Sequence, residues 1–390
     1  MTAVVQSLLE DGLRDGVFPA AQASVWHRGR EVLRAATGRS EGFPVTEATV
    51  FDLASLTKPL CTATCFVALW AEGSIGPSTP VARWIDGSPL AKHGATLGDL
   101  LAHRSGLPAW SPFFAVVLHT VPELRRRDCP ASTRLAVRSE VRDAAARSPL
   151  DAPPGTRTLY SDIGYILAGE MLAEAAGIPL DALHSRAAQR LGVASHFHRL
   201  STRGDTTLDP CAGRWEGIPV TGELRPRPFA PGQSTHGASL ARESSRTGEV
   251  DDDNAWVLDG VAGHAGLFGT ATEVARFGQR IVEELGGAGR IGPAGLWERA
   301  VSPLPGGTYG LGFDTPSPGG ASNAGRFIGN TAPGAFGHLG FTGTSLWVDR
   351  ARQLSVALLT NRTALGRDNV RIQQFRPRFH DAVVEALGFQ

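Results

Sequence analysis

Apolar side chains at Val4, Val5, Leu8, Leu9 and Leu13 recur at helical spacing, which predicts that the chain opens with a helix. The next two stretches, AQASVWHRG and REVLRAATG, read as two strands around a turn. After FDLASLTKP the pattern becomes helical through CTATCFVALWAEG. From there to about residue 250 the recognisable elements are helices between long loops rich in proline and glycine, among them ATLGDLLAH, ASTRLAVRSEVRDAAA and YSDIGYILAGEMLAEAA. Strand character returns in YGLGFD, in FGHLGFTGTSLWVD and in QLSVALLTN, before a last helix over FRPRFHDAVVEAL. Residues from about Cys211 to Asp253 have little periodicity and read as a long surface loop.

Strands at both ends thus bracket a helical middle. The economical arrangement is an α/β (α+β) fold in which residues 1–70 and 255–390 build one antiparallel sheet packed with helices. Residues 71–254 would form a helical domain inserted between them, with the active site in the cleft. Composition narrows the function. A chain of 390 residues that is 42% hydrophobic and 19% charged has apolar material for a large core, which excludes a disordered protein. Its 38 basic side chains balance 38 acidic ones, leaving no net field to gather nucleic acid or an anionic membrane, so neither is an expected partner. Glu10 and Asp11 lie within an opening segment that lacks the cationic start of a secretory signal. The longest mostly apolar stretch, Leu60 to Ala71, is short of the ~20 residues of a spanning helix, so a cytoplasmic protein is expected. Cys61, Cys65, Cys129 and Cys211 include no C-x-x-C pair and read as buried packing residues, without disulfide or zinc.

Three short segments could carry chemistry. Ser55 and Lys58 in Ser55-Leu56-Thr57-Lys58 stand where an extended segment gives way to a helix, and an i, i+3 spacing puts both side chains on one face. A serine hydroxyl needs a neighbour to take its proton, and a buried lysine with a depressed pKa can do so. Arginine has displaced lysine nearly everywhere else, Lys92 being the other lysine, and a guanidinium could not act as that base. Tyr160, in Tyr160-Ser161-Asp162 at the head of an apolar helix, supplies a phenol able to relay a proton. Gly337-His338-Leu339-Gly340-Phe341-Thr342-Gly343 reads as a strand whose glycines permit close approach of a ligand. The N–H groups of Phe341 and Ser55 are candidate oxyanion donors. His196-x-His198 and the acidic run Asp251-Asp252-Asp253 lack companion ligands and read as solvated loop, while His103 and His264 read as turn residues bonded to backbone. No metal or cofactor is expected.

In order and spacing, S-x-x-K, Y-x-[ND] about a hundred residues on and H-x-G near the end, followed by LLTNR, resemble the serine β-lactamase and penicillin-binding superfamily. The likeness is to the branch of class C β-lactamases, D-Ala-D-Ala carboxypeptidases and β-lactamase-fold esterases. LLAHRSGLP and GVAGHAGLFGTATEVARF agree with it. The resemblance implies a β-lactamase/transpeptidase-like fold, acylation of Ser55, proton management by Lys58 and Tyr160, and a substrate strand bordered by His338 and Gly340. Two departures stand out. Asp162 takes a place often held by asparagine, where its charge would favour the lysine ammonium and shift the base role toward Tyr160. His338-Leu339-Gly340 lacks the fixed cation and hydroxyl with which many β-lactamases hold a substrate carboxylate. Neutral esters or amides are therefore expected ahead of a β-lactam or a D-Ala-D-Ala type peptide. The rival of another class is a non-catalytic binding or sensing module.

Overall fold

The computed structural model describes residues 2–40, 43–125, 129–201, 248–317, 323–330, 332 and 334–389. Its strands, in chain order, are β1 (Ala20–His27), β2 (Arg30–Ser40), β3 (Phe43–Pro44), β4 (Phe51–Asp52), β5 (His196–Phe197), β6 (Leu267–Gly269), β7 (Ala335–Leu339), β8 (Ser345–Asp349) and β9 (Leu354–Thr360). The main sheet has the order β3-β2-β1-β9-β8-β7, and every neighbouring pair is antiparallel. The two ends of the chain meet at its centre, where Val25 of β1 faces Val356 of β9.

The period of two along β9 explains the layering. All seven of its residues are buried, because both faces are covered. Leu354, Val356 and Leu358 point into one core with Val5, Leu9, Phe375, Phe379 and Val383, from the helices Thr2–Arg14 and Ile372–Ala386. Ala357 and Leu359 point the other way, onto Val274, Phe277 and Ile281 of the helix Ala271–Leu285. That second core continues without a break into the buried helices Thr64–Ala71, Asp162–Ala176 and Leu180–Leu191. A small sheet of order β4-β6-β5 ties the residues just before Ser55 to both parts. Among the described residues no single helix is long and apolar enough to cross a membrane.

Several expectations are corrected. YGLGFD forms no strand: Gly312, at a φ of 101°, lets the segment fold back on itself, leaving isolated bridges from Asp314 to Tyr309 and to Gly337. FGHLGFTGTSLWVD is a hairpin, β7 and β8, broken at residues 340–344. Most of the expected surface loop, including Cys211, lies outside the described residues. At its end Val250 and Asp251 are buried, and Asp252 accepts from the Ala255 N–H at 2.7 Å to cap a short helix, so the acidic run is not a solvated loop. His198 is buried too, stacked on Phe268 with ring centroids 4.6 Å apart.

The end of β7 presses directly on the turn that carries Ser55. A Cβ at Gly340 would stand 1.9 Å from Thr344 Oγ1 and 2.8 Å from the Leu53 carbonyl oxygen. The glycine thus makes room for protein backbone. Gly340→Ala is expected to cost about 1–3 kcal/mol in urea unfolding, as overpacking does. A variant as stable as the parent would show that strand and turn are not in such contact.

Candidate active site

The segment before Ser55 is held from several directions. Asp52, fully buried, accepts from the Ala54 N–H at 2.8 Å and from the Asp251 N–H at 2.7 Å. Thr342 and Thr344, beyond β7, donate to the carbonyls of Asp52 and Leu53 at 3.1 and 3.0 Å. Thr57 donates to the Ala54 carbonyl at 2.7 Å. So braced, Ala54 takes a φ of 48°, a backbone conformation that a residue with a side chain adopts only under constraint. Ser55 follows it in a 3₁₀ turn, Ala54–Leu56, and is the one partly exposed residue of the run from Phe51 to Leu69.

Lys58 opens the next helical segment with its side chain 0% exposed. Its Nζ reaches three oxygens: Ser55 Oγ at 3.0 Å, Asp162 Oδ1 at 2.7 Å and the His264 carbonyl at 3.3 Å. The same nitrogen lies 4.8 Å from the centre of the Tyr160 ring. Burial pulls the Lys58 pKa down, and Asp162, by charge and hydrogen bond, opposes this without cancelling it. Tyr160 is pushed well above the ordinary phenol range, first by burial and then by Asp162, while a hydrogen bond with Ser55 acts the other way. Asp162 therefore acts on both groups, favouring the ammonium of Lys58 and opposing the phenolate of Tyr160.

Local sequence sets Asp162 free to do this. Ser161, not Asp162, caps the helix, accepting from the Gly164 N–H at 3.2 Å. His103 braces the turn: its Nδ1 accepts from the Ser161 N–H at 3.0 Å and its ring lies 4.4 Å from that of Tyr160. His103 thus bonds to backbone as expected. The His264 ring does not. Its Nε2 pairs with Asp252 Oδ1 at 2.8 Å, and although burial alone would raise the Asp252 carboxyl, His264 brings it down to about 2.

The third segment completes the surroundings. His338 is buried and bonds through Nδ1 to the Leu339 carbonyl at 2.7 Å, with Nε2 left unpaired. Burial, reinforced by the Lys58 charge, lowers its pKa to about 3, so the ring is neutral near pH 7. Phe341 is 50% exposed and its carbonyl accepts from Arg362 Nε at 2.7 Å. Two residues not singled out from the sequence join the cluster. Tyr309 places its ring 5.9 Å from that of Tyr160, and Asp314, whose carboxyl burial raises to about 6, lies near enough for its charge to act on both phenols. Both sit in the misread YGLGFD segment, where no motif or period marks them.

Together these groups place a hydroxyl, a buried amine and a neutral phenol in mutual contact, a set able to move a proton from an attacking oxygen to a leaving group. Residues 5–376 match the family model described as Beta-lactamase. The chain is 28% identical over 389 residues to the N-acetylmuramyl-L-alanine amidase of Bacillus subtilis (strain 168), covering 92% of this chain and 80% of that protein. It is 27% identical over 332 residues to a candidate D-alanyl-D-alanine carboxypeptidase of Escherichia coli (strain K12), covering 81% and 70%. Among solved structures, the D-amino acid amidase from Ochrobactrum anthropi SV3 with D-phenylalanine superposes with a TM-score of 0.68 at 19% identity, over 98% of this chain and 99% of that one.

Because Lys58 and the exposed Lys92 are the only lysines, ¹⁵N-lysine labelling gives two side-chain signals to follow with pH. The Lys58 signal should titrate below the ~10.4 of free lysine. In Asp162→Asn it should titrate lower still, since a contribution that raises the pKa has been removed. A midpoint unmoved or raised would contradict this account of the pair.

Proposed function

The chain belongs to the β-lactamase family, and from that membership we propose a serine hydrolase that opens neutral carboxylic esters and amides through an acyl-enzyme on Ser55. Ser55 Oγ attacks the carbonyl carbon and Lys58, as the free amine that burial makes accessible, takes the hydroxyl proton over their 3.0 Å hydrogen bond. Tyr160 stays a neutral phenol and hands a proton to the leaving oxygen or nitrogen while recovering one from Lys58. The Phe341 N–H, free of other partners among the described residues, and the Ser55 N–H would receive the developing oxyanion. Water then repeats the sequence on the acyl group, releasing the acid.

The observation that carries the preference for neutral substrates is the state of the nearby cations. His338 is uncharged, and Lys58 is paired with Asp162. The guanidinium of Arg362 is bonded to the carbonyls of Phe341, Arg367 and Asn369, and that of Arg376 to those of Gly340, Gly343 and Thr344. Arg367 is bonded to Asp251. A substrate carboxylate entering beside β7 would have to win one of these groups from its present partner, at the desolvation cost of a new buried charge. The relatives named as carboxypeptidase and amidase keep amides within the substrate class, and the ester is favoured because its leaving group needs less help from a proton donor.

A panel pairing an acetyl ester, a D-alanyl-D-alanine peptide and the same peptide with its carboxylate capped as an amide tests this. The uncharged ester and capped peptide should exceed the free-acid peptide in kcat/KM by at least about tenfold, a difference of ~1.4 kcal/mol. Ser55→Ala should abolish turnover of all three. Preference for the free carboxylate would overturn the ester assignment in favour of a D-amino-acid peptidase.

A further inference from the structure

Cys61 and Cys65 follow Lys58 on the same helical run, and both are 0% exposed. His184, 1% exposed, comes from the helix Leu180–Leu191 packed against it. The two sulfurs and a ring nitrogen of His184 all lie within 4.8 Å of one another. None of the three has a part in the chemistry at Ser55. The sequence contains no C-x-x-C pair, and the third donor arrives from a distant helix, so the pattern alone pointed to packing.

One feature does not fit packing. His184 Nε2 is committed to Ser195, 3.0 Å from its carbonyl and 3.2 Å from its hydroxyl, while Nδ1 is buried with no hydrogen-bond partner. An Nε2–H donated to a carbonyl fixes the tautomer that leaves the Nδ1 lone pair bare, which is how histidines that ligate metals are commonly oriented. The two sulfurs of Cys61 and Cys65 thus stand beside that buried ring in a closed part of the core.

We propose that Cys61, Cys65 and His184 form a buried three-coordinate site for a soft d¹⁰ metal ion, copper(I) before zinc(II). Bonds of about 2.0–2.3 Å to an ion at the centre of three donors set those donors about 4 Å apart. Closing from within 4.8 Å takes sub-ångström side-chain shifts. Among the described residues no fourth histidine, cysteine or carboxylate joins the group. Three soft donors satisfy copper(I), while zinc(II) would lack its fourth ligand. Binding changes no oxidation state. The metal forms two bonds to sulfur and one to Nδ1, and the thiol protons leave to solvent. With both helices tied to one ion, the segment that carries Lys58 would be clamped to Leu180–Leu191, and unfolding would have to break metal–sulfur bonds.

The test uses the full chain carrying Cys129→Ser and Cys211→Ser, reduced and kept free of oxygen, with Cys61 and Cys65 as its remaining cysteines. Copper(I) is offered as its coloured bicinchoninate complex, both to the folded chain and during refolding, since the site is closed to solvent. One copper per chain should leave the chelator and survive gel filtration, and the melting temperature should rise. Cys65→Ala should abolish this uptake, and His184→Gln should weaken it at least tenfold. The idea fails if the chain, shown folded by circular dichroism and cooperative unfolding, keeps less than a tenth of an equivalent. It fails equally if Cys65→Ala keeps the same copper. Retention of zinc(II) and not copper(I) at one equivalent would overturn the three-coordinate assignment.

Discussion

The site depends on keeping one ammonium group inside the protein. A lysine removed from water costs several kcal/mol unless its charge is answered or lost. Lys58 meets both conditions in part: three oxygens receive its N–H groups, and burial still lowers its pKa. Burial sets the direction, and the Asp162 carboxylate works against it. That carboxylate also holds the Lys58 nitrogen in place through a 2.7 Å hydrogen bond. Burial acts toward the amine at Lys58 and, together with the same carboxylate, toward the neutral phenol at Tyr160, the two groups proposed to carry the proton.

The fold serves this constraint by bringing distant segments to one point. β1 and β9 pair the two ends of the chain, and β8 then carries the β7 hairpin to the edge beside the Ser55 turn. Thr342 and Thr344 beyond β7, Asp251 before the short helix, and Leu267 at β6 each bond to residues 52–57. The positive φ of Ala54 is the strain these contacts maintain, and it directs Ser55 outward while its neighbours stay buried.

What was legible in the sequence was whatever is local. Ser55 and Lys58 are one turn apart, Tyr160 and Asp162 share a helix start, and His338 and Gly340 share a strand end, so short-range geometry sufficed to single them out. The antiparallel sheet from both termini was legible because β1, β2, β8 and β9 are short runs of apolar and β-branched residues set between turns. Long-range partners were not. The Asp252–His264 pair, the Tyr309 and Asp314 neighbours of Tyr160, and the cluster of Cys61, Cys65 and His184 each depend on contacts between separate elements. YGLGFD misled because its apolar alternation reads as a strand, while a glycine with positive φ bends it away from the sheet. The Phe341 and Ser55 amides were nameable only as candidates, since an oxyanion position is set by the packing of strand on turn.

The central claim is that Lys58, in its free-amine form, activates Ser55. Acid-quenched intact-mass analysis during reaction with a fluorophosphonate measures this most directly, followed as a function of pH. The account predicts one phosphonyl group on Ser55 and none on Ser55→Ala, with a labelling rate that rises with pH as Lys58 deprotonates. In Lys58→Ala that rise should vanish and the rate fall by orders of magnitude. Labelling of Lys58→Ala at the parent rate, or a label that persists in Ser55→Ala, would contradict it.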